Sequence, residues 1–165
     1  MRGRFPRFIG SEYASSDAAR HALYPIEYQD LTRLTLPSGV FDCVLTNDVL
    51  EHVSDIRRAL GEMARVLRSG GVMLSTFPFS YRYESVIKAR LVNGKIEHLT
   101  EPEYHGNPAE PENGSLVFEI PGWGVLDIAR DSGFAQAEMV LVSSIEKGIT
   151  GAEFAGILVM RGYRG

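Results

Sequence analysis

The stretch from Phe41 to Phe79 constrains the fold more than any other part of this chain. Phe41 to Thr46 is apolar apart from Asp42, the pattern of a strand covered on both faces. Next comes an amphipathic segment in which Ile56, Ala59, Leu60, Met63, Val66 and Leu67 recur at helical steps. Arg57, Arg58, Glu62 and Arg65 fall mostly on the opposite side, and Ser54 or Asp55 is placed to cap the first turn. The pair Gly70-Gly71 is expected to end that helix in a left-handed turn, with Val72 to Phe77 as a second buried strand. Strand, helix, strand at this spacing is the unit of a parallel sheet. The polar residues Thr46, Asn47 and Asp48 collect at the carboxyl end of its first strand, where open α/β sheets place ligands.

On either side the signals are weaker. Phe8 to Tyr13 reads as a short strand ending near a carboxylate, and Ala14 to Tyr24 has room for one short helix. Ile26 to Tyr28 reads as extended, followed by Gln29-Asp30-Leu31 and the turn Leu36-Pro37-Ser38-Gly39. Tyr81 to Arg90 reads as a short helix, and Asn93-Gly94 as a tight turn. Pro102 to Asn113, rich in proline and glutamate, reads as a loop or lid. Trp123 to Ser132 is a helix stopped by Gly133, and Ala137 to Ser143 with Phe154 to Met160 form a closing antiparallel pair.

Length and charge narrow the class. A chain of 165 residues is read as one domain over 1–165, and a net charge of −4 argues against a phosphate-backbone binder. Arg2, Arg4 and Arg7 are a local exception, read as a solvated end. One cysteine, Cys43, excludes an intrachain disulfide and is expected to be an inert, packed thiol. No apolar run is long enough to span a bilayer, so the expectation is a cytoplasmic protein with no membrane or nucleic-acid partner.

Three phrases in order resemble the class I (Rossmann-like) S-adenosylmethionine (SAM)-dependent methyltransferase superfamily: Leu36 to Asp42, Asp48 to Val53, and Arg65 to Gly71. The likeness covers Phe5 to Phe79 well and the remainder in outline. It implies an α/β fold, a mostly parallel sheet with a C-terminal antiparallel hairpin and helices on both faces. It implies SAM as cofactor and a small-molecule hydroxyl or amine as methyl acceptor. Within it, Glu12 matches the carboxylate that accepts from the ribose hydroxyls, as an ionised carboxylate can do for both at once. Asp30 matches the position facing the adenine amino group, with the Leu31 amide beside it, and Asn47 and Asp48 lie where the methionine part passes. Each has a plainer explanation: an exposed strand-end glutamate, a local turn-forming aspartate, and polar groups capping a strand end.

Two further sites stay open at this point. Asp48, Glu51 and His52 resemble the Glu-x-x-Glu-His metal site of some O-methyltransferases, which would need a further ligand from His98 or His105. Helix-start electrostatics alone also explain a glutamate there, and the expectation is no metal. His105, beside Tyr104 in the proline-rich loop, is the candidate base for a substrate hydroxyl, against a bland surface histidine. Trp123 reads as a packing anchor or as a wall of the substrate pocket.

The superfamily begins with a strand, a glycine-rich turn and a helix, whereas only seven residues precede Phe8 here, with Gly3 their one glycine. The expectation is therefore a contracted sheet in which Phe8–Tyr13 and Phe41–Asn47 pair directly, or a second copy or partner chain that completes the sheet. Without that turn the backbone loses its close approach to SAM. A catalytically inactive methyltransferase-like binding or partner subunit is the alternative to an enzyme. No Gly-x-Gly-x-x-Gly turn supports nucleotide-sugar or NAD binding.

Overall fold

A computed structural model describes residues 7–107, 110–151 and 155–165. Arg2, Gly3, Arg4, Phe5 and Phe154, named above, and two positions of the Pro102–Asn113 loop lie outside the described residues. In chain order the elements are β1 (Ser11–Glu12), α1 (Asp17–Ala22), β2 (Glu27–Tyr28), β3 (Phe41–Asn47), a 3-10 turn (Leu50–His52), α2 (Ile56–Val66) and β4 (Leu67–Thr76). They continue with β5 (Val86–Ile87), β6 (Ala89–Val92), β7 (Lys95–His98), β8 (Tyr104–His105), β9 (Ser115–Leu116) and β10 (Glu119–Ile120). Last come α3 (Val125–Asp131), β11 (Phe134–Val142) and β12 (Ile157–Arg164).

The main sheet has four strands in the order β11-β12-β4-β3. Only β3 and β4 are parallel; β4–β12 and β12–β11 are antiparallel. The expectation of a mostly parallel sheet is thus corrected to a small mixed one. The parallel pair is connected by α2, whose Asp55 cap accepts from the Arg58 amide at 2.9 Å. Ile56, Ala59, Leu60, Met63 and Ala64 of α2 pack into one cluster with Val125 and Ala129 of α3 and with Met73, Phe134, Ala137 and Met160 of the sheet. These two helices therefore share one face of the sheet. The other face shows why Cys43 is exposed and not packed: Cys43 and Leu45 point there with Val72 and Leu74, and no helix of the shared core lies over them.

Three other expectations change. Phe8–Tyr13 does not pair with β3; only Ser11–Glu12 is strand, and it pairs in parallel with Glu27–Tyr28 as a separate ribbon. β3 is left at the sheet edge. Helix α2 ends at Val66, before the glycines. Gly70, at φ 72°, instead lets β4 loop outward between Leu67, paired with Phe41, and Val72, paired with Cys43. A Cβ on Gly71 would lie 2.9 Å from the Arg68 carbonyl oxygen, so this kink demands glycine. Tyr81–Arg90 is not helical, because Val86 and Ile87 pair with β10 and the Lys88 and Ala89 amides both donate to the Phe118 carbonyl. Asn93-Gly94 does form the tight turn of the β6–β7 hairpin, with both φ angles positive. The closing β11–β12 pair and the helix stopped at Gly133 also match the sequence pattern.

A polar clamp fastens the Leu34–Ser38 segment to α2. Glu62 accepts from the Leu34 amide at 2.8 Å, while Arg65 donates to Glu62, to the Leu34 and Leu36 carbonyls and to the Ser38 hydroxyl. The Arg65 hydrogen bond holds the Glu62 carboxyl below its usual pKa. The clamp's contribution is therefore complete above the unfolded carboxyl pKa, and it disappears as pH falls through the lower folded value.

Chemical denaturation should separate these contributions. Leu60→Ala, in the fully buried centre of α2, should cost about 2–5 kcal/mol, against about 0.5–2 kcal/mol for the exposed cap change Asp55→Ala. Stability measured from pH 7 down to pH 3 should fall less steeply in Glu62→Gln than in the unaltered chain; parallel acid limbs would show that the clamp contributes nothing.

Candidate functional site

The parallel pairing of β3 and β4 sends both strands' carboxyl ends to the same side of the sheet. There the chain turns sharply after Asn47. Asp48 takes the left-handed conformation (φ 50°), which aspartate tolerates better than most residues, and its amide donates to the Thr76 carbonyl at 2.9 Å. The following 3-10 turn rolls Leu50 and Glu51 inward, and both are fully buried. Neither oxygen of the Glu51 carboxylate has a hydrogen-bond partner. Burial pushes its pKa up, with the Asp48 charge acting in the same direction and its own amide and His105 opposing.

Two imidazoles face that carboxylate. His52 Nε2 stands 3.6 Å from Glu51 Oε1, and His105 Nδ1 stands 3.7 Å from the same oxygen. Their rings meet edge to face with centroids 4.9 Å apart. The far nitrogen of each ring is engaged elsewhere: His52 Nδ1 is 2.9 Å from the Leu116 carbonyl oxygen and His105 Nε2 is 3.3 Å from Glu103. Glu103 in turn pairs with Lys88, and these partners hold its carboxyl below its usual pKa. Burial pushes the His52 pKa down. The loop is fixed to the turn through its backbone as well, since the Phe118 amide donates to the Glu51 carbonyl at 2.7 Å and the Val117 amide to the Glu103 carbonyl at 2.9 Å.

Of the residues singled out from sequence, the structure thus gathers Glu51, His52 and His105 into one cluster. Asp48 lies beside it and acts on Glu51 and His52 through its charge, but it is not one of the three converging donors. His98 is exposed on the β6–β7 hairpin and does not join. Glu12, Asp30 and Leu31 belong to another lobe, built on β1 and β2. Glu12 is exposed, and its carboxylate accepts from the Tyr13 amide at 2.9 Å. Asp30 accepts from the Thr32 amide and hydroxyl at 2.8 and 2.7 Å, which is the local turn weighed above. Leu31 is half-buried against the core, and Asn47 is exposed at the tip of β3. Glu110 accepts from the Ser15 amide and hydroxyl, tying this lobe to the loop that carries His105.

Sequence reasoning missed Glu103, Lys88 and the Leu116 carbonyl, whose roles depend on β8 and β9 closing onto the 3-10 turn. The one signal for Glu103 was its place two residues before His105. Beyond the end of β4, Phe79 packs edge-on against Trp123, with centroids 5.0 Å apart, and against Tyr81 at 5.5 Å. Two open clefts that share Arg57 and Ile128 include none of the predicted site residues.

Residues 9–75 match the family model described as a methyltransferase domain. A relative from Mycolicibacterium smegmatis, named "Probable S-adenosylmethionine-dependent methyltransferase", is 38% identical over 76 residues, covering 44% of this chain and 30% of its own length. A 37.1 kDa protein of transposon Tn4556 from Streptomyces fradiae is 30% identical over 124 residues, covering 73% of this chain and 32% of the relative. The chain thus spans about a third of the length of these curated relatives. In fold it is similar to the crystal structure of an S-adenosylmethionine-dependent methyltransferase from Mesorhizobium loti, with a TM-score of 0.57 and 20% identity over 94% of this chain and 79% of the other. The matched segment is thus similar to a methyltransferase domain, and the fold is similar to that of a SAM-dependent methyltransferase.

Proposed function

We propose that this chain is a SAM-dependent methyltransferase, or a segment of one, that transfers a methyl group to a small-molecule hydroxyl or amine. The observation that carries the reading is the polar cluster at the carboxyl end of β3, whose Glu51 and His52 lie inside the segment that matches the methyltransferase family and which His105 joins from outside it. In this reading residues 1–165 act as a single methyltransferase-like domain. Glu12 takes the ribose hydroxyls, Asp30 and the Leu31 amide take the adenine edge, and Asn47 and Asp48 line the path of the methionine part. The charges suit these roles, because carboxylates accept from hydroxyl and amino donors.

Methyl transfer is an in-line displacement at the sulfonium methyl carbon, and holding the acceptor in line accounts for much of its acceleration. The acceptor oxygen or nitrogen must also lose a proton. The cluster of Glu51, His52 and His105 supplies groups for that step, with Glu103 orienting the His105 ring. Phe79, Tyr81 and Trp123 form an apolar wall that suits the body of a small acceptor. At the β3 edge, where Cys43 and Leu45 are exposed, a strand from a second copy or another chain would complete the sheet.

Calorimetric titration with SAM and S-adenosylhomocysteine tests the reading. Saturable binding is expected, weakened roughly 10- to 100-fold in Glu12→Ala, the loss expected for hydrogen bonds to a charged group worth about 1.5–3 kcal/mol. Asn47→Ala should weaken it as well. Absence of binding at millimolar cofactor would leave a methyltransferase-like module without the reaction.

A further inference from the structure

The geometry points to a divalent transition-metal site made by Glu51, His52 and His105, of the class that zinc occupies. Its first support is the burial of an unsatisfied charge-bearing group. The Glu51 side chain is fully buried, and both its oxygens lack a hydrogen-bond partner. An ionised carboxylate held this way is strongly destabilising unless a cation or a donor reaches it or it takes up a proton.

The second support is the direction of the imidazole lone pairs. The Leu116 carbonyl can only accept, so the His52 Nδ1 beside it carries the ring proton and Nε2 is left with its lone pair toward Glu51. The ionised Glu103 likewise takes the proton of His105 Nε2, leaving the Nδ1 lone pair toward the same Glu51 oxygen. Two lone pairs and a carboxylate oxygen thus converge, with one donor atom from each residue within 4.8 Å of the others. Three electron-rich atoms repel one another unless something positive lies among them. A carboxylate or a backbone carbonyl behind each ring is also the outer-shell arrangement that fixes metal-bound histidines.

Distance separates a metal from a shared proton. The separations of 3.6 and 3.7 Å are longer than a hydrogen bond, which spans about 2.7–3.2 Å. They lie at or just beyond the upper end of the spacing of two donors on one ion, since atoms each about 2.0–2.2 Å from a tetrahedral zinc stand roughly 3.3–3.6 Å apart, so a small inward shift of the rings would seat the ion. Donor chemistry then selects the ion. Two imidazole nitrogens and one carboxylate suit zinc, iron, cobalt or nickel, whereas magnesium and calcium prefer sites built of oxygen.

Three protein donors leave at least one coordination position for an outside ligand. His52 and His105 are partly exposed while Glu51 is not, so that position faces the histidine side of the cluster. Resting on the methyltransferase reading above, we assign it to the acceptor. An acceptor hydroxyl bound there through oxygen gives its proton to solvent. The oxygen then bonds to the methyl carbon as the carbon–sulfur pair returns to sulfur, leaving the methyl ether and S-adenosylhomocysteine. The ion would lower the cost of the first loss, and the cluster would contribute to that step by holding the ion.

Zinc titration of the full chain after chelator treatment tests the site without requiring methyl transfer. One zinc per chain is expected at neutral pH, with a raised melting temperature, and cobalt(II) bound in its place should show the intense visible bands of a low-symmetry four-coordinate site. His105→Ala should weaken zinc binding at least tenfold, and Glu103→Gln, which only orients His105, by roughly 10- to 100-fold or less. Both changes fall on the short, part-exposed β8 region, and metal-free melting curves will show that the variants fold. Zinc held through millimolar magnesium supports the assignment. No zinc binding, binding indifferent to both variants, or displacement by magnesium overturns it. SAM binding measured separately distinguishes failure of this site from failure of the methyltransferase reading.

Discussion

The pairing of β3 with β4 in parallel is the constraint on which the rest of this structure depends. Parallel neighbours cannot be joined by a tight turn, so the chain must cross the sheet between them, and α2 makes that crossing. Its apolar stripe is buried beneath α3 and against Met73, Met160 and Phe134, which anchors the crossover to the antiparallel strands. The same pairing brings the polar tip of β3 and the aromatic run after β4 to one end of the sheet. A ligand site there is a result of topology before any one side chain is considered.

Glu51 then turns topology into chemistry. Its carboxylate is drawn into the core by the turn that buries Leu50, and the segments from Lys88 to Leu116 close around it. Lys88, Glu103, His105, Glu51, His52 and the Leu116 carbonyl form one linked polar chain joining β8, β9 and the 3-10 turn. Such a network helps hold the loop segments together, and it also gives the buried charge its surroundings.

Several parts of this picture were legible in the residues. The helical steps from Ile56 to Val66, the Asp55 cap, the Asn93-Gly94 turn and the final hairpin are local patterns that formed, although the helix ended short of Gly70-Gly71. Expectations failed where the outcome rested on distant partners. Phe8–Tyr13 carries a strand-like pattern, yet Ser11 and Glu12 found β2 and not β3. Val86 and Ile87 were taken from a helical reading by β10 and by the Phe118 carbonyl. Cys43 has the neighbours of a buried strand residue, but no helix of the shared core covers its face.

The order of residues alone determined that a strand, a capped helix and a second strand would form, and that Asp48, Glu51 and His52 would follow the first strand closely. Those outcomes depend on periodicity and on hydrogen bonds between near neighbours. Only tertiary structure decided which face of the sheet is covered, that His105 and not His98 meets Glu51, and that Glu103 and the Leu116 carbonyl orient the two imidazoles. The contacts of Glu51 with His105 and of His52 with the Leu116 carbonyl join positions about 50 to 65 residues apart; no local pattern encodes them, because they arise when loop closure and core packing choose among many loop arrangements of similar local energy.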